Sequence, residues 1–256
     1  TRLRVALAKS RNVVSIRLLQ AIGIPYAIDY VTRFGFNPNQ LPHNLSMALG
    51  TGDVTPLQLA NAYAVFANGG SRVNPYLIDH VTDGNGKLIF AYHAPTPIPV
   101  LSPDTEFLMV TVLQAVIDEG TGAKALRLGR SDLAGKTGST DMDAWFNGFN
   151  RNLMTSVWVG YDQHKPVHEY GSQAALPIWI DYMSQVLTGT PETSFPHPAD
   201  IITAKIDPAT GLLARPDQPD AISEYFTENS LPEQVAPVAS GPAGLGTSSD
   251  SGQPIF

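Results

Sequence analysis

The sequence predicts an α+β domain in which an antiparallel sheet is flanked by helices. Apolar residues recur at helical spacing over much of residues 1–70 and again over 103–116. Three strand-like runs follow, at 133–140, 144–149 and 153–161, the last two rich in aromatic and β-branched residues. The polar links between them, Asp141 to Asp143 and Asn150 to Asn152, are short enough that consecutive strands pair antiparallel.

Each element has a local cause. Leu3, Val5, Ala6 and Leu7 mark a first helix, Ser10-Arg11-Asn12 a joint, and Val13 to Ile22 a second helix closed by Gly23 and Pro25. Tyr26 to Phe34 reads as a short amphipathic helix stopped by Gly35. Thr55-Pro56-Leu57-Gln58 is a capping pattern with proline at the first helical position, and Asn68-Gly69-Gly70 ends that helix. Val73 to Tyr92 suggests a hairpin around Asp83-Gly84-Asn85-Gly86. Ser102-Pro103 opens a long helix through Val116, and another runs from about Leu176 to Leu187. Residues 201–214 suggest a further hairpin around "DPATG", and the Pro/Gly/Ser-rich stretch from Leu231 onward reads as a flexible tail. The expected division is therefore a main domain over 1–195, an extension over 196–230 and a tail over 231–256.

Composition narrows the function. The formal charge of −7 with 16 basic residues leaves no electrostatic footprint for nucleic acid. No apolar run approaches the roughly 18 residues that span a bilayer. The start, "TRLRVALAKS", has neither an initiator Met nor a signal architecture and reads as mid-helix, so an excised piece, truncated at its N-terminus, is expected. Zero cysteines exclude disulfides, thiolate zinc sites and a cysteine nucleophile.

"AGKTGST" (134–140) admits two readings. A phosphate-binding loop needs glycine five residues before the Gly of Gly-Lys-Thr, where Arg130 stands, and a helix directly after, where strands are expected. The alternative is an edge strand. Period-2 alternation sets Thr137 and Ser139 on one face, able to grip one carboxylate, and Lys136 on the other. Gly138 leaves room for a backbone to approach, and an N–H just after it suits an oxyanion. Taken alone, Lys136 is better read as an edge-protecting lysine and Gly138 as a bulge, and Ser10 and Asn12 as helix caps.

Taken together, the two tripeptides belong to the signature set of penicillin-binding proteins and class A β-lactamases. The connecting text resembles the transpeptidase domain of class A penicillin-binding proteins, 1A type. The likeness lies in "LAKSRNVVSIRLLQAIG" (7–23), "LSMALGTGDVTPLQLANAYAVFANGG" (45–70), "DEGTGAKA" (118–125), "AGKTGSTDMDAWFNGFN" (134–150), "SVWVGYD" (156–162) and "AALPIWIDYM" (174–183), and spans about residues 1–230.

That resemblance implies a β-lactamase/transpeptidase-like fold, with an all-helical lobe beside the sheet and the site between them. It implies that Ser10 relays a proton, Asn12 holds the substrate amide, and Lys136 supplies positive potential and orients Ser10. Thr137 and Ser139 would bind a terminal carboxylate, with Gly138 between them and the Ser139 N–H in the oxyanion hole. The implied reaction is serine-type DD-transpeptidation of peptidoglycan stem peptides ending in D-Ala-D-Ala, with acylation by β-lactams and no cofactor or metal. The implied location is the periplasmic face of the cytoplasmic membrane, anchored by a helix outside this chain.

The sequence departs from the family in one respect that matters. Three residues before each lysine stand Ala6, Gly84, Thr121, Leu133, Asp162 and Ile202, so no Ser-x-x-Lys nucleophile motif occurs. Thr121-Gly122-Ala123-Lys124 comes nearest but falls after Ser10 in chain order and reads as loop. The chain by itself is expected to be inactive, with the missing N-terminal part of the same domain as its partner. The rival readings are a non-catalytic scaffold of the same fold and a hydrolytic β-lactamase. The Asp141-to-Asp143 link is also shorter than the family suggests. His164 and His168, with Pro166 between them, read as solvated loop; Asp141 and Asp143 read as a turn, and Trp145 and Trp158 as core or groove wall.

Overall fold

The computed structural model describes residues 1–163 and 165–238, so the His164 reading and the tail beyond 238 lie outside the described residues. Helices α1 (Leu3–Ala8), α2 (Asn12–Ile22) and α3 (Ile24–Thr32) follow one another, and a 3-10 turn at Leu45–Leu49 packs on α2. Residues 3–49 contain no strand and make the expected helical part. Gly23, at φ 87°, closes α2 and directly caps α3, whose first turn holds Pro25. Pro25 therefore opens a helix and is no part of the preceding stop: its fixed φ suits a first turn, where its missing N–H has no intrahelical acceptor.

Helix α4 (Pro56–Ala67) starts where its capping box requires. The Gln58 N–H donates to Thr55 Oγ1 at 3.1 Å and the Thr55 N–H to Gln58 Oε1 at 2.8 Å. Then β1 (Ser71–Arg72), β2 (His80–Thr82), β3 (Leu88–Ala91) and β4 (Ile98–Pro99) form two small antiparallel pairs, β1 with β4 and β2 with β3. The β2–β3 hairpin turns at the expected place, with Asp83 Oδ1 accepting the N–H groups of Asn85 and Lys87. Its strands are shorter than the 73–92 pattern suggests.

Helix α5 (Pro103–Asp118) leads to the main sheet: β5 (Ala134–Ser139), β6 (Ala144–Phe149) and β7 (Met154–Val159), antiparallel in the order β5-β6-β7. Alternation assigns its two faces. Phe146 packs edge-on against Trp179 of α6 (Ala175–Val186), with centroids 4.9 Å apart, and Trp179 Nε1 donates to the Gly148 carbonyl at 3.2 Å. Phe149, on the opposite face, meets Phe66 and Tyr63 of α4. Helix α5 runs along β5 and feeds both cores, with Val110 and Leu113 on the α4 side and Ile117 on the α6 side. Each large apolar side chain buried between these layers contributes about 1.5–3 kcal/mol.

The C-terminal part corrects two expectations. The ladder partner of strand β8 (Ile201–Ile206) is β9 (Ile222–Thr227), over six residues in register. The hairpin around "DPATG" is confined to its tip: Asp207 accepts from the Thr210 N–H at 2.7 Å, the Asp207 N–H donates to the Leu212 carbonyl at 2.8 Å and the Ala214 N–H to the Lys205 carbonyl at 2.9 Å, around a single Ile206–Leu213 bridge. The residues just after 231 are not free tail either. The Leu213 N–H donates to the Gln234 carbonyl at 3.0 Å, the Ala236 N–H donates to the Leu213 carbonyl at 2.8 Å, and Ala236 is buried. Composition measures the apolar side chains a segment can bury; here the backbone does the pairing. The β8–β9 sheet is tied to the first helix, where Arg2 and Arg4 both pair with Glu224. No helix among the described residues is long and apolar enough to cross a membrane.

Candidate active site

The joint after α1 is a tight turn. The Ser10 N–H donates to the Leu7 carbonyl at 3.0 Å and the Arg11 N–H to the Ala6 carbonyl at 2.8 Å, which holds Ser10 in the left-handed region at φ 52°. Such a conformation costs a residue with a Cβ on the order of 1 kcal/mol. Neither Ser10 nor Asn12 acts as a cap: the N-cap of α2 is Arg11, with no side-chain bond to the helix. Both residues are exposed, and Asn12 makes no side-chain hydrogen bond among the described residues.

Across from this turn stands β5, the end strand of its sheet. Lys136 lies opposite Asn147 and Thr137 opposite Phe146, so the two side chains leave on different faces, as alternation requires. Gly138 pairs with Trp145 in continuous register and is no bulge; a Cβ there would stand 3.1 Å from Trp145 Cβ. Lys136 Nζ reaches back over the strand and donates to Ser10 Oγ at 3.0 Å and to the Thr137 carbonyl at 2.9 Å, with Thr137 Oγ1 at 3.4 Å. These account for the three donors of an ammonium.

No carboxylate lies within ion-pair distance of Lys136 among the described residues. Burial pushes its pKa down to about 8, because the charged form loses hydration that no anion replaces. The result is an amine at a sheet edge, held by two hydroxyls and one carbonyl, with no carboxylate beside it among the described residues.

Three further residues frame the site. Thr121 Oγ1 lies 2.6 Å from Thr137 Oγ1, and the Thr121 N–H donates to the Ala8 carbonyl at 3.0 Å. Gly120 lets this loop close on α1: a Cβ there would fall 2.3 Å from the Ala8 carbonyl oxygen. The Gly171 N–H donates to Ser139 Oγ at 2.8 Å, and a Cβ on Gly171 would stand 2.3 Å from the Trp145 carbonyl oxygen and 2.4 Å from that of Gly138. Sequence reasoning set Thr121 aside as loop and passed over Gly171; the available signal was a hydroxyl residue bracketed by glycines directly after a helix. The Asp141-to-Asp143 link forms a turn, closed by the Thr140 N–H on the Asp143 carbonyl, and Trp158 Nε1 donates to Asp143 at 2.7 Å. Trp145 and Trp158 are half-buried neighbours there.

A separate cleft of about 520 Å³ lies between α5, the 131–132 turn and β9. Most of its charged groups are already engaged, Arg4 with Glu224, Asp132 with Arg130, and Glu192 with Ser131, and the remaining one, Asp118, is a carboxyl that burial holds above its usual range. The cleft therefore offers one acid unpaired among the described residues, whereas hydroxyls and an amine converge around Lys136.

The chain and its fold are similar to those of known proteins. The family model for the penicillin-binding protein transpeptidase domain matches residues 1–183. Penicillin-binding protein 1A of Pseudomonas aeruginosa is 39% identical over 99% of this chain and 37% of its own length, so this chain spans just over a third of that relative. The crystal structure of penicillin-binding protein 1A from Haemophilus influenzae superposes with a TM-score of 0.86 at 33% identity, covering 92% of this chain and 41% of that one. PonA1 of Mycobacterium tuberculosis, solved in complex with penicillin V, gives a TM-score of 0.66 at 25% identity, covering 77% of this chain and 59% of that one. With two motifs facing each other on that fold and the family model covering most of its length, this chain belongs to the penicillin-binding protein transpeptidase family and resembles its class A, 1A-type members.

Proposed function

We propose that this chain supplies the Ser10, Asn12 and Lys136–Ser139 walls of a serine-type DD-transpeptidase site that cross-links peptidoglycan stem peptides ending in D-Ala-D-Ala. The observation that carries the reading is the Lys136 amine, without a carboxylate partner among the described residues and 3.0 Å from the Ser10 hydroxyl on the end strand β5. A terminal carboxylate is the anion such a position suits, with Thr137 and Ser139 donating to it.

The reaction is acyl transfer in two steps. A serine oxygen attacks the penultimate D-Ala carbonyl, and the Ser139 N–H stabilises the oxyanion. As the C–N bond breaks, the terminal D-Ala amine leaves with a proton passed through Ser10, whose hydroxyl both donates and accepts. An amine from a neighbouring strand then attacks the acyl-enzyme, giving its proton back along the same route, and the serine is released. Asn12 holds the substrate amide. The attacking serine belongs to a Ser-x-x-Lys segment, which does not occur among these 256 residues. β-Lactams, which carry an acyl group and a carboxylate at similar spacing, enter the same site, as the penicillin V complex of PonA1 supports. The proposed location is the periplasmic face of the cytoplasmic membrane.

Fluorescent penicillin with intact-mass detection tests this. The chain alone is expected to stay unlabelled, whereas a protein carrying it together with an upstream Ser-x-x-Lys segment should gain one acyl group on that serine. Labelling of the chain by itself, or none in the extended protein, overturns the reading. The second of those results favours a scaffold, which the lack of Ser-x-x-Lys in this sequence would otherwise suit.

A further inference from the structure

We propose that Thr121 is a positioning residue of this site, acting through the Thr137 hydroxyl; the inference rests on the transpeptidase reading above. Thr137 Oγ1 has one proton and two lone pairs. Lys136 Nζ approaches it at 3.4 Å and Thr121 Oγ1 at 2.6 Å. The short contact is a single hydrogen bond, and its direction decides where the Thr137 proton points. If Thr137 donates to Thr121, its proton is used and only oxygen lone pairs face the groove, which repel a carboxylate. If Thr121 donates, Lys136 and Thr121 fill both lone pairs and the Thr137 proton is left for a third partner. An ionised carboxylate only accepts, so an occupied site requires the second arrangement.

Thr121 is held for this task by backbone contacts. Its N–H is bonded to the Ala8 carbonyl at the end of α1, two residues before Ser10, and Lys9 Nζ donates to the Glu119 carbonyl in the same loop. Gly120 allows the approach, since a Cβ there would overlap the carbonyl oxygens of Ala8 and Val116. The 119–121 segment therefore staples the Ser10 turn to the Lys136 strand, with the Thr121 hydroxyl at the point of contact. No other group hydrogen-bonds Thr121 Oγ1 among the described residues, so its proton is available for Thr137.

The test compares two penicillin probes on the full-length protein, one with a free carboxylate and one with that carboxylate methyl-esterified. Thr121→Val keeps the shape and removes the donor. It should lower the second-order acylation constant for the free acid about three- to fivefold, because the Thr137 hydroxyl keeps its proton but loses the donor that orients and polarises it, and leave the ester unchanged within about 1.5-fold. Thr121→Ser should retain the parent rate with both probes. Thr121→Ala serves as a second donor-less variant with the same expectation, so a folding defect in either one does not decide the matter. An unchanged rate with the free acid, or an equal loss with both probes, overturns the inference and leaves the transpeptidase reading standing. No labelling of the unaltered protein removes both.

Discussion

Lys136 Nζ donates to Ser10 Oγ at 3.0 Å although 126 residues separate them in the chain. This one contact closes the gap between a helix joint and a sheet edge. It also leaves the lysine half-buried, with no anion beside it among the described residues, and the pH dependence of the site follows from that.

Burial lowers the Lys136 pKa to about 8 from the ordinary 10.5. Below pH 8 the ammonium is present and attracts a carboxylate; above it the attraction fades. Acylation of the full-length protein by a carboxylate-bearing penicillin should therefore decline as pH rises through about 8. In Lys136→Arg, whose guanidinium stays charged, that decline should vanish whatever the absolute rate. Stop-flow labelling between pH 6 and 10 checks this, and a decline of the same midpoint in the arginine variant would assign the titration elsewhere. For stability the sign is opposite. Between pH 8 and 10.5 the unfolded chain binds the proton that the folded chain has lost, so this group favours folding more as pH rises across that window.

Glu106, in the first turn of α5, is 4% exposed, and burial raises its carboxyl to about 7, with Arg151 offsetting part of the rise. A raised acid contributes stability that is complete below its unfolded value of 4.5 and is lost as pH climbs through 7. Glu106→Gln, neutral throughout, should match the parent near pH 5 and exceed it at pH 8 by roughly 1–3 kcal/mol. Thermal unfolding at the two pH values measures it; an equal difference at both would mean the carboxyl does not titrate in this range.

Asp132 joins three segments from the centre of a buried cluster. Arg130 grips it with bonds of 2.8 and 2.7 Å, the Thr193 N–H donates at 3.2 Å and Asn150 Nδ2 at 3.4 Å, with the aspartate side chain 2% exposed. Burial alone would raise its pKa, but Arg130 and the other donors outweigh that and hold it low. Asp132→Ala leaves the guanidinium with only the Thr190 and Pro191 carbonyls and no anion from this cluster, and should destabilise the fold by about 2–4 kcal/mol, read by denaturant unfolding. A loss under about 1 kcal/mol would show that Arg130 finds solvent instead.

Gly171 is wedged against the backbone of β5 and β6, where a methyl group would stand 2.3 Å from one carbonyl oxygen and 2.4 Å from another. Neither neighbour is the tip of a flexible side chain. Gly171→Ala should displace the 170–173 turn or the Gly138 end of β5, costing about 1–3 kcal/mol and reducing penicillin labelling together with stability. Unaltered labelling with a normal melting temperature would mean the turn shifts without touching the site.

Much of the secondary structure was legible because its causes are local. The Thr55 capping box, the Gly23 stop, the Asp83 turn and the alternation of 144–149 each act within a few residues, and each appears where the residues imply it. The misreadings share a cause as well. Pro25 was ambiguous between a stop and a start, and both the β8–β9 pairing and the docking of Ala236 depend on partners well separated along the chain. Local pattern carries no record of such partners.

The sequence by itself determined the main helices and the three strands of the 134–159 sheet, the class of fold, and two motifs whose residue types suit acyl transfer to and from a peptide ending in a carboxylate. Only the tertiary structure decided that Lys136 leans onto Ser10, that burial there pulls its pKa down, and that Thr121 stands against Thr137. Those facts arise where packing of α1, α5 and β5 brings distant hydroxyls and an amine within 3.0 Å, and desolvation there is set by everything that surrounds them and not by their neighbours in the chain.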